Sequence, residues 1–575
     1  MALPSTFPWR WCGLAAVAAL AACAGMGTAP PQLAPATGAT LASCADLAAR
    51  VSIPNTTLTS ASLVAAGGLT ATGIATPIPE HCLLRGQMNR RTSPVDGKAY
   101  AIGFEMRLPT QWNGRFFYQA NGGIDGVVVP ATGVLGGGAP TTNGLSLGFA
   151  TMSSDAGHPI AYGPFFGLDP QARLDYGYQA VGSLTPTAKE LIRLAYGKGP
   201  DRSYFAGCSN GGRHAMVAAS RFADQYDGIL AGNPGFNLPK AALSQLWGVQ
   251  QYASISSLGT SGLPEVSSAF TPAEFKFVGE RILARCDALD GAADGMVGDT
   301  RACQAAFSVA ADVPLCTGAR NGSCLTAGQK TVLANIFAGA RNSAGQALYS
   351  KFWFDPGIAG ANYAFWEYTA ATSLDPGAVA FIFRTPPSST ASFFATTGLK
   401  YGMGFNMDKD ASTIFASSGV YGTSAMDFMA PPNATDLSAL KKRGGKMMVF
   451  HGVSDAVFSP ADTAAWYEGV AAANGGDAGN FARLFLVPGM NHCSGGPAAD
   501  QFNMVSALVD WVEKGVAPDS VVAKARGAGS NVVNTELPAS WSAGRTRPLC
   551  PYPKLAVYSG SGDVKLASSF TCQVP

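Results

Sequence analysis

Charge is scarce in this chain of 575 residues. Charged side chains make up 13% of it, and the formal net charge is only +2. A nucleic-acid-binding surface needs concentrated positive charge, and the sequence contains no long block of either sign. We therefore expect a globular protein without a nucleic-acid partner.

Long hydrophobic runs are confined to the N-terminus. An apolar run over residues 14–22 follows Arg10, and it is too short to remain in a membrane as a spanning helix. The sequence LAAC at residues 20–23 fits a lipoprotein-type signal (1–23), with Cys23 lipidated after cleavage. Ordinary secretion by cleavage near Ala22 is the alternative.

The mature chain then begins with a Pro/Ala-rich stretch, which we interpret as a tether over residues 24–43. We expect an exported protein: an outer-membrane lipoprotein, or one free in the periplasm or the medium. A lipid at Cys23 would be its only membrane contact, and we expect a monomer.

Twelve cysteines are present, and ten lie beyond the signal region. An even number in an exported chain favours disulfides. Proximity in sequence predicts four pairs and leaves a fifth: Cys44–Cys82, Cys286–Cys303, Cys316–Cys324, Cys550–Cys572 and Cys208–Cys493.

Strand-like and helix-like segments alternate in two parts of the chain, residues 44–235 and 434–575. Such alternation is typical of a parallel sheet covered by helices on both faces. The intervening residues 236–433 are rich in loops and break the pattern. We predict an α/β-hydrolase fold with a large inserted lid domain.

The segment Gly207-Cys208-Ser209-Asn210-Gly211 matches Gly-x-Ser-x-Gly. In α/β-hydrolases this motif forms a strained strand-to-helix turn that exposes a nucleophilic serine. Here a strand-like run precedes it and a helix-like run follows it, so Ser209 is the candidate nucleophile.

The remaining catalytic partners of that fold follow in the order acid, then histidine. Asp455 follows the strand-like run KMMVF, and His492 is the only one of five histidines beyond it. We predict that His492 takes the proton of Ser209 and that Asp455 orients the imidazole.

An oxyanion needs hydrogen-bond donors. The backbone N–H of Asn210 is one candidate, because it follows the nucleophile. The turn Asn121-Gly122-Gly123 after an early strand is the other, although a plain tight turn explains those glycines equally well.

The segment 286–296, CDALDGAADGM, carries Asp287, Asp290 and Asp294 close together. Carboxylate oxygens in a turning loop suit Ca²⁺, and the carbonyls of Ala292 and Met296 could complete the shell. The spacing is not that of an EF-hand, and Asx turns in a solvated loop are the alternative.

The sequence resembles the tannase and feruloyl esterase family over nearly the whole mature chain. The resemblance is densest at SYFAGCSNGGR, CDALDGAADGMV, RGGKMMVFHGVSD and RLFLVPGMNHCSGGP. Within the family it is greatest to the branch that hydrolyses mono(2-hydroxyethyl) terephthalate. The resemblance implies the same five disulfides.

It also implies roles for individual residues. Gly123 and Asn210 would form the oxyanion hole. Phe458 would pack on the substrate ring. The metal would be a structural calcium, held by Asp287, Asp290, Ala292, Asp294 and Met296.

The lid departs from that branch, which carries an arginine that binds the free carboxylate of its substrate. Arg384 is the only arginine between Arg341 and Arg443. It would have to replace that arginine from a different position, or it is an ordinary surface residue.

These observations predict a serine esterase that cleaves small aromatic acid esters, such as feruloyl, galloyl, hydroxybenzoyl or terephthalate monoesters. A non-catalytic envelope lipoprotein that binds aromatic ligands is the alternative from another class. A third hypothesis keeps the enzyme but assigns it an amide or peptide bond.

Overall fold

A computed structural model describes residues 30–134 and 137–575. Its centre is a nine-stranded sheet. In chain order its strands are β1 (Thr56–Val64), β2 (His81–Thr92), β3 (Ala99–Pro109), β4 (Arg115–Gln119), β5 (Ala150–Ser154), β6 (Arg202–Cys208), β7 (Gly228–Gly232), β8 (Lys446–Gly452) and β9 (Ala482–Val487).

The strand order across the sheet is β9-β8-β7-β6-β4-β5-β3-β2-β1. The six strands from β9 to β5 are parallel to one another. β3 pairs antiparallel with β5, and β1 to β3 form an antiparallel meander. The parallel part of the sheet agrees with the predicted alternation of strands and helices, whereas the antiparallel meander of β1 to β3 was not predicted. The turn between β2 and β3 is too short to hold the crossover that a parallel pair needs.

Within the described residues, seven helices of ten or more residues accompany the sheet and the lid. They are α1 (Ala180–Tyr196), α2 (Asn210–Arg221), α3 (Leu238–Ala253), α4 (Pro272–Cys286), α5 (Ala327–Ala338), α6 (Pro460–Ala472) and α7 (Met504–Lys514). α3 to α5 belong to the inserted segment 236–433, which contributes no strand to the nine-stranded sheet among the described residues.

Shorter elements complete the described chain. The helical ones are Leu47–Arg50, Ile160–Leu168, Pro170–Leu174, Asp175–Gln179, Val266–Ser268, Asp287–Asp290, Thr300–Ala306, Val309–Asp312, Pro356–Ala359, Ala361–Ala364, Phe365–Ala370, Ala371–Ser373, Asp375–Gly377, Ala378–Phe383, Thr390–Phe394, Gly398–Gly404, Ala411–Phe415, Ala425–Met429, Ser438–Lys442 and Ala567–Ser569. Three two-stranded ribbons pair Ala39–Thr40 with Gln111–Trp112, Val521–Lys524 with Thr546–Leu549, and Leu555–Tyr558 with Phe570–Gln573.

Separate apolar cores form on the two faces of the sheet and inside the lid. α1 and α2 bury their apolar sides on one face, and α7 buries Leu508 and Trp511 on the other. The lid core gathers α4 and α5 around Phe275 and Leu333, and it reaches Ala456 beside the candidate acid. The lid is thus packed onto the loop that carries Asp455.

The N-terminal segment predicted as a tether lies against the hydrolase domain from residue 30 onward. Gln32 Nε2 donates to the carbonyl of Val512 over 2.8 Å, and the N–H of Ala36 donates to Glu513 over 2.9 Å. The predicted signal peptide and Cys23 lie outside the described residues. In the described ranges, no helix combines the length and apolar character needed to cross a membrane.

All five predicted disulfides are present, including Cys208–Cys493, which joins residues 285 positions apart. Five disulfides fit a protein exported to an oxidising compartment.

Candidate active site

Ser209 occupies the sharp turn between β6 and α2. Its backbone has φ 66° and ψ −129°, a conformation that residues other than glycine seldom adopt. The neighbouring glycines make the turn possible. A Cβ on Gly207 would come within 2.7 Å of the backbone of Gly211, and one on Gly211 within 2.6 Å of the Ala120 carbonyl. The turn holds the Ser209 hydroxyl at the carboxyl edge of the sheet.

His492 and Asp455 meet Ser209 at that edge. His492 Nε2 lies 2.8 Å from Ser209 Oγ, and its Nδ1 lies 2.8 Å from Asp455 Oδ2. Because a carboxylate only accepts, Nδ1 carries the proton and Nε2 accepts from the serine hydroxyl. The structure therefore brings together the three residues predicted as nucleophile, base and orienting acid.

Asp455 is fully enclosed and held by several donors. Its Oδ1 accepts the N–H groups of Val457 and Phe458 at 2.9 and 3.0 Å, and its Oδ2 accepts Asn233 Nδ2 at 2.7 Å. Burial alone would raise the pKa of Asp455. Electrostatic attraction and hydrogen bonds from His492 and His451 outweigh burial and hold that pKa well below its usual range. Asp455 is thus ionised beside His492.

His451 is a second histidine against the acid. Its Nε2 donates to the carbonyl of Phe458 over 3.0 Å and lies 3.4 Å from Asp455 Oδ2, while its Nδ1 lies 2.9 Å from Thr463 Oγ1. The Phe458 carbonyl accepts only, so Nε2 carries a proton. His451 thereby braces both Asp455 and the turn that follows it.

The turn Asn121-Gly122-Gly123 lies against the nucleophile. A Cβ on Gly122 would be 3.6 Å from Ser209 Cβ, while around Gly123 the space within 4 Å is open. Within the described ranges, no hydrogen bond engages the backbone N–H of Gly123 or Asn210. Both N–H groups are available to a ligand oxygen beside Ser209.

A buried network fixes the two candidate oxyanion donors relative to each other. Asn210 Nδ2 donates to Asp125 Oδ2 over 2.8 Å, and His214 Nε2 lies 2.9 Å from the same oxygen. Arg213 Nε donates to Asn210 Oδ1 over 2.6 Å, and Tyr176 Oη donates to the Gly123 carbonyl over 3.1 Å. Asp125 and the Gly122 turn belong to one loop, so these bonds join that loop to α2.

Two aromatic rings line the base. The Phe458 ring meets the His492 ring edge-on at 5.3 Å between centroids, and the lid residue Trp366 does so at 4.8 Å. Trp366 Nε1 is buried without a hydrogen-bond partner among the described residues. Phe458 was predicted near the substrate, whereas no motif pointed to Trp366.

A cavity of about 500 Å³ adjoins the Cys208–Cys493 disulfide. Gly122, Cys208, Cys493, Gln119 and Asn143 are among its lining residues. The volume lies within the range of small-molecule sites.

Arg384 lies elsewhere in the lid. Its guanidinium is 3.8 Å from Asp410, and its Nε is buried without a hydrogen-bond partner in the described part of the chain. No hydrogen bond, ion pair or ring contact seen in that part joins it to Ser209 or His492. The structure therefore does not show it at the reacting atoms.

In the acidic loop predicted to hold calcium, Asp287 and Asp290 accept backbone N–H groups of the loop itself. Asp287 Oδ1 accepts the N–H groups of Asp294, Gly295 and Met296 at 3.0, 3.0 and 3.3 Å. Asp290 Oδ1 accepts the N–H of Ala292 at 3.0 Å. No group of three His, Cys, Asp or Glu side chains within residues 30–134 and 137–575 is arranged to hold a metal.

The chemistry of the same loop nevertheless fits a hard cation. Burial, together with the charges of Asp294 and Asp287, raises the pKa of Asp290 to about 7. Asp294 forms ion pairs with Arg545, at 3.0 Å, and with Arg547. Three carboxylates thus lie close enough to repel one another, and two arginines offset part of their charge.

Sequence reasoning missed the residues that connect the catalytic loops to their surroundings: Asp125, Asn233, Asp355, Asn362, Trp366, His451 and Asn491. For the lid residues no local pattern exists, because their contacts depend on how the lid docks.

Comparison with known proteins gives a consistent result. The sequence profile described as tannase and feruloyl esterase matches residues 86–573. The mono(2-hydroxyethyl) terephthalate hydrolase of Piscinibacter sakaiensis is 42% identical over 538 residues, 88% of this chain and 87% of that protein. A probable feruloyl esterase B-1 of Neosartorya fischeri is 29% identical over 81% of this chain and 82% of its own.

Solved structures agree. The crystal structure of feruloyl esterase B from Aspergillus oryzae superposes with a TM-score of 0.71 at 25% identity, covering 92% of this chain and 99% of that one. The α/β-hydrolase prediction is confirmed. The profile matches most of the chain, and the relative that is 42% identical aligns with 88% of it. The chain therefore belongs to the tannase and feruloyl esterase family.

Proposed function

We propose that this protein is a carboxylic ester hydrolase that cleaves esters of aromatic acids through an acyl-enzyme on Ser209. The observation that carries the proposal is the continuous hydrogen-bonded series Ser209–His492–Asp455. Family membership supports the ester bond over an amide. The relatives are a mono(2-hydroxyethyl) terephthalate hydrolase and a probable feruloyl esterase, which supports esters of aromatic acids.

In the first half-reaction, Ser209 Oγ attacks the ester carbonyl while His492 Nε2 takes its proton. The carbonyl oxygen becomes an oxyanion that the N–H groups of Gly123 and Asn210 stabilise. Asp455 stabilises the imidazolium. His492 then protonates the departing alkoxide, which leaves an ester between Ser209 and the aromatic acid.

In the second half-reaction, water takes the place of the alcohol. His492 removes a proton from water, the hydroxide attacks the acyl carbonyl, and the same N–H groups stabilise the new oxyanion. Collapse breaks the bond to Ser209, whose oxygen recovers the proton from His492. The products are the free acid and the unmodified protein.

Hydrolysis by Ser209→Ala tests this proposal. We expect the variant to fold and to lose nearly all activity on methyl ferulate. Ser220→Ala on the same helix, whose hydroxyl donates to the Pro432 carbonyl, is the matched control and should retain activity. Equal rates of hydrolysis by Ser209→Ala and the parent would show that Ser209 is not the nucleophile. A parent that binds aromatic esters without turnover would favour the non-catalytic binding protein.

For the acid moiety, we propose that recognition does not depend on a carboxylate clamp. Arg384 lies beside Asp410, and the rings near His492 are Trp366 and Phe458. We expect methyl ferulate, methyl gallate or a simple benzoate ester to be cleaved at least as fast as mono(2-hydroxyethyl) terephthalate. A strong preference for the terephthalate monoester would instead assign Arg384 or another lid group to its free carboxylate.

We further propose that the acidic loop binds a structural Ca²⁺ through the carboxylates of Asp287, Asp290 and Asp294, with the carbonyls of Ala292 and Met296. Its hard oxygen donors and the mutual repulsion of its carboxylates support this assignment. A bound divalent cation would neutralise the loop and fix it against the C-terminal segment. Elemental analysis of the purified protein, before and after dialysis against a chelator, measures the calcium bound per chain.

Finally, we propose that Cys23 is lipidated and anchors a monomer to the outer membrane. The LAAC sequence at residues 20–23 supports this. Mass spectrometry of the mature N-terminus distinguishes a lipidated Cys23 from plain cleavage.

A further inference from the structure

One short segment of the lid touches both loops that carry the acid and the base. The segment runs from Asp355 to Asn362 and contains the helical turn Pro356–Ala359. One of these loops follows β8 and bears Asp455; the other follows β9 and bears His492. Because the two loops follow different strands, the Asp455–His492 hydrogen bond persists only if other contacts keep the two loops at a constant distance and orientation.

Asp355 makes the most direct connection. Ser454 Oγ, on the residue before Asp455, donates to Asp355 Oδ1 over 2.6 Å. The N–H of Gly489, three residues before His492, donates to Asp355 Oδ2 over 3.2 Å. Each oxygen of one carboxylate therefore binds one catalytic loop.

The fit of the segment is close and depends on glycine. A Cβ on Gly357 would lie 2.5 Å from Ser454 Oγ and 2.6 Å from the Gly489 carbonyl. Asn491 Nδ2 donates to the Gly357 carbonyl over 2.9 Å and to the Ser454 carbonyl over 3.2 Å. The same interface thus contains a second side chain that bonds to both the lid and the acid-bearing loop.

The segment also reaches the base itself. The backbone N–H of His492 donates to Asn362 Oδ1 over 3.2 Å. Glu536 accepts the N–H of Ala361 at 2.5 Å and that of Gly496 at 2.6 Å. These contacts join the far end of the lid segment to the base-bearing loop.

Asp355 has no cationic partner in the part of the chain that the structure describes. It is 1% exposed. Burial raises its pKa, and the hydrogen bonds from Ser454, Gly357 and Gly489 counter that shift. A buried carboxylate is costly unless its hydrogen bonds are satisfied, and here those bonds lead to the two catalytic loops. A structural role in the lid alone would not require this arrangement.

We propose that Asp355 is a positioning residue for catalysis, which fixes the acid-bearing and base-bearing loops to the lid and so sets the Asp455–His492–Ser209 geometry. The inference rests on the proposed serine esterase function. It assigns the lid a role in the chemical step, besides any role in covering substrate.

The expected signature is a loss in kcat with little change in KM. Asp355 does not touch the reacting atoms, so substrate binding should survive, while a displaced imidazole slows proton transfer. Misplacement by about 1 Å can cost on the order of 100-fold in rate. Asp355→Asn preserves the shape of the side chain but replaces one carboxylate oxygen by an amide NH₂ group. That group cannot accept a hydrogen bond, so either Ser454 or the N–H of Gly489 loses its acceptor.

We would measure hydrolysis of methyl ferulate together with the rate at which a fluorophosphonate probe labels Ser209. Labelling requires the nucleophile and its base but not the correct ester, so it reads the geometry even if the natural substrate differs. For Asp355→Asn we expect both kcat and the labelling rate to fall about 10- to 100-fold, with KM within about 2-fold of the parent.

Asp462→Asn is the matched control. Asp462 is also a buried carboxylate that joins lid to hydrolase, since it accepts Ser350 Oγ at 3.0 Å and Asn237 Nδ2 at 2.9 Å. Its side chain bonds neither catalytic loop. Comparable loss of thermal stability in both variants, with slow labelling in Asp355→Asn alone, supports the proposal.

The outcomes distinguish failure of the positioning role of Asp355 from failure of the proposed serine esterase function. A parent that is not labelled at Ser209 overturns the proposed function. A parent that is labelled, with Asp355→Asn labelled equally fast, overturns the positioning role alone. If Asp355→Asn does not fold, Ser454→Ala replaces it, since it removes the bond to the acid-bearing loop. We expect an approximately 3- to 10-fold slower labelling rate there, and an unchanged rate rejects the proposal.

Discussion

The side chains of Ser209 and His492 are 283 positions apart in sequence, yet they meet at 2.8 Å. Each follows a parallel strand of one sheet, and the carboxyl ends of parallel strands share an edge. Local strain at Ser209, whose φ is 66°, aims the hydroxyl at that edge. The reactivity of this serine therefore depends on one backbone conformation and one hydrogen bond.

Asp455→Asn should nearly abolish turnover while leaving the fold intact. An amide at this position favours the wrong imidazole tautomer, since it can present a donor to Nδ1 of His492. The matching substitution in serine hydrolases lowers kcat by about 10⁴-fold. We would measure kcat at neutral pH, with Asp519→Asn as control, because among the described residues that exposed carboxylate pairs with Arg483 alone. Activity within about 10-fold of the parent would refute the assigned acid.

At the scale of elements, the lid is a second core docked onto the catalytic edge. Its short helix Phe365–Ala370 places Trp366 against His492 and buries Glu367 in the lid interior. Burial raises the pKa of Glu367 to about 8, although hydrogen bonds with Tyr252 and Tyr363 oppose the shift. The folded lid therefore holds a proton that the unfolded chain releases.

This proton makes lid stability depend on pH. An unfolded glutamate has a pKa of about 4.3, so the folded state binds more protons between about pH 4 and 8. Its stability must fall as pH rises through that window. We expect the melting temperature of Glu367→Gln to decline less between pH 5 and pH 8 than that of the parent. Parallel declines in the two proteins would show that Glu367 is ionised in the fold.

Some features of the fold and the site could be predicted from the sequence and others could not, as particular residues show. The Ser209 turn was predictable because the glycines that permit it lie within the same five-residue motif. Asp455 and His492 followed from chain order and strand-like flanks. Asp355 and Trp366 could not be predicted, because they belong to the lid and act through contacts with Ser454 and His492, which lie 99 and 126 positions further along the chain in the hydrolase domain. Strands β1 to β3 were missed because an antiparallel meander leaves no βαβ alternation to recognise.

For the whole molecule, the Cys208–Cys493 disulfide ties together the two halves that the lid interrupts. It closes a loop of 285 positions, for which chain entropy gives a stabilisation of about 5.6 kcal/mol at most. It also lies directly beside Ser209 on one side and His492 on the other. Its removal should affect both stability and the register of nucleophile and base.

Replacing both Cys208 and Cys493 by serine should lower kcat more than it raises KM. The loss should exceed that from replacing Cys316 and Cys324, a lid disulfide that spans only 8 positions. Steady-state kinetics of the two double variants, at a temperature where both are folded, provide the comparison. Unchanged kcat in the Cys208/Cys493 variant would limit this disulfide to a stabilising role.

Calcium removal is a second test at this scale. The acidic loop is joined to the C-terminal segment through Asp294, Arg545 and Arg547. If a cation neutralises the loop, a chelator should lower the melting temperature, and added Ca²⁺ should restore it. Methyl ferulate hydrolysis at a temperature well below melting should change little. A melting temperature indifferent to both treatments would indicate that the two arginines alone balance the loop.

The most direct test of the account is to trap the acyl-enzyme. The protein would be mixed with a 4-nitrophenyl ester of ferulic acid, quenched with acid within milliseconds, and analysed by intact mass and peptide mapping. The account predicts a burst of nitrophenol close to one equivalent when deacylation is the slower step. It also predicts one added feruloyl group on the peptide that contains Ser209, absent in Ser209→Ala. Rapid turnover of this ester by Ser209→Ala, or an acyl group on a different residue, would contradict it.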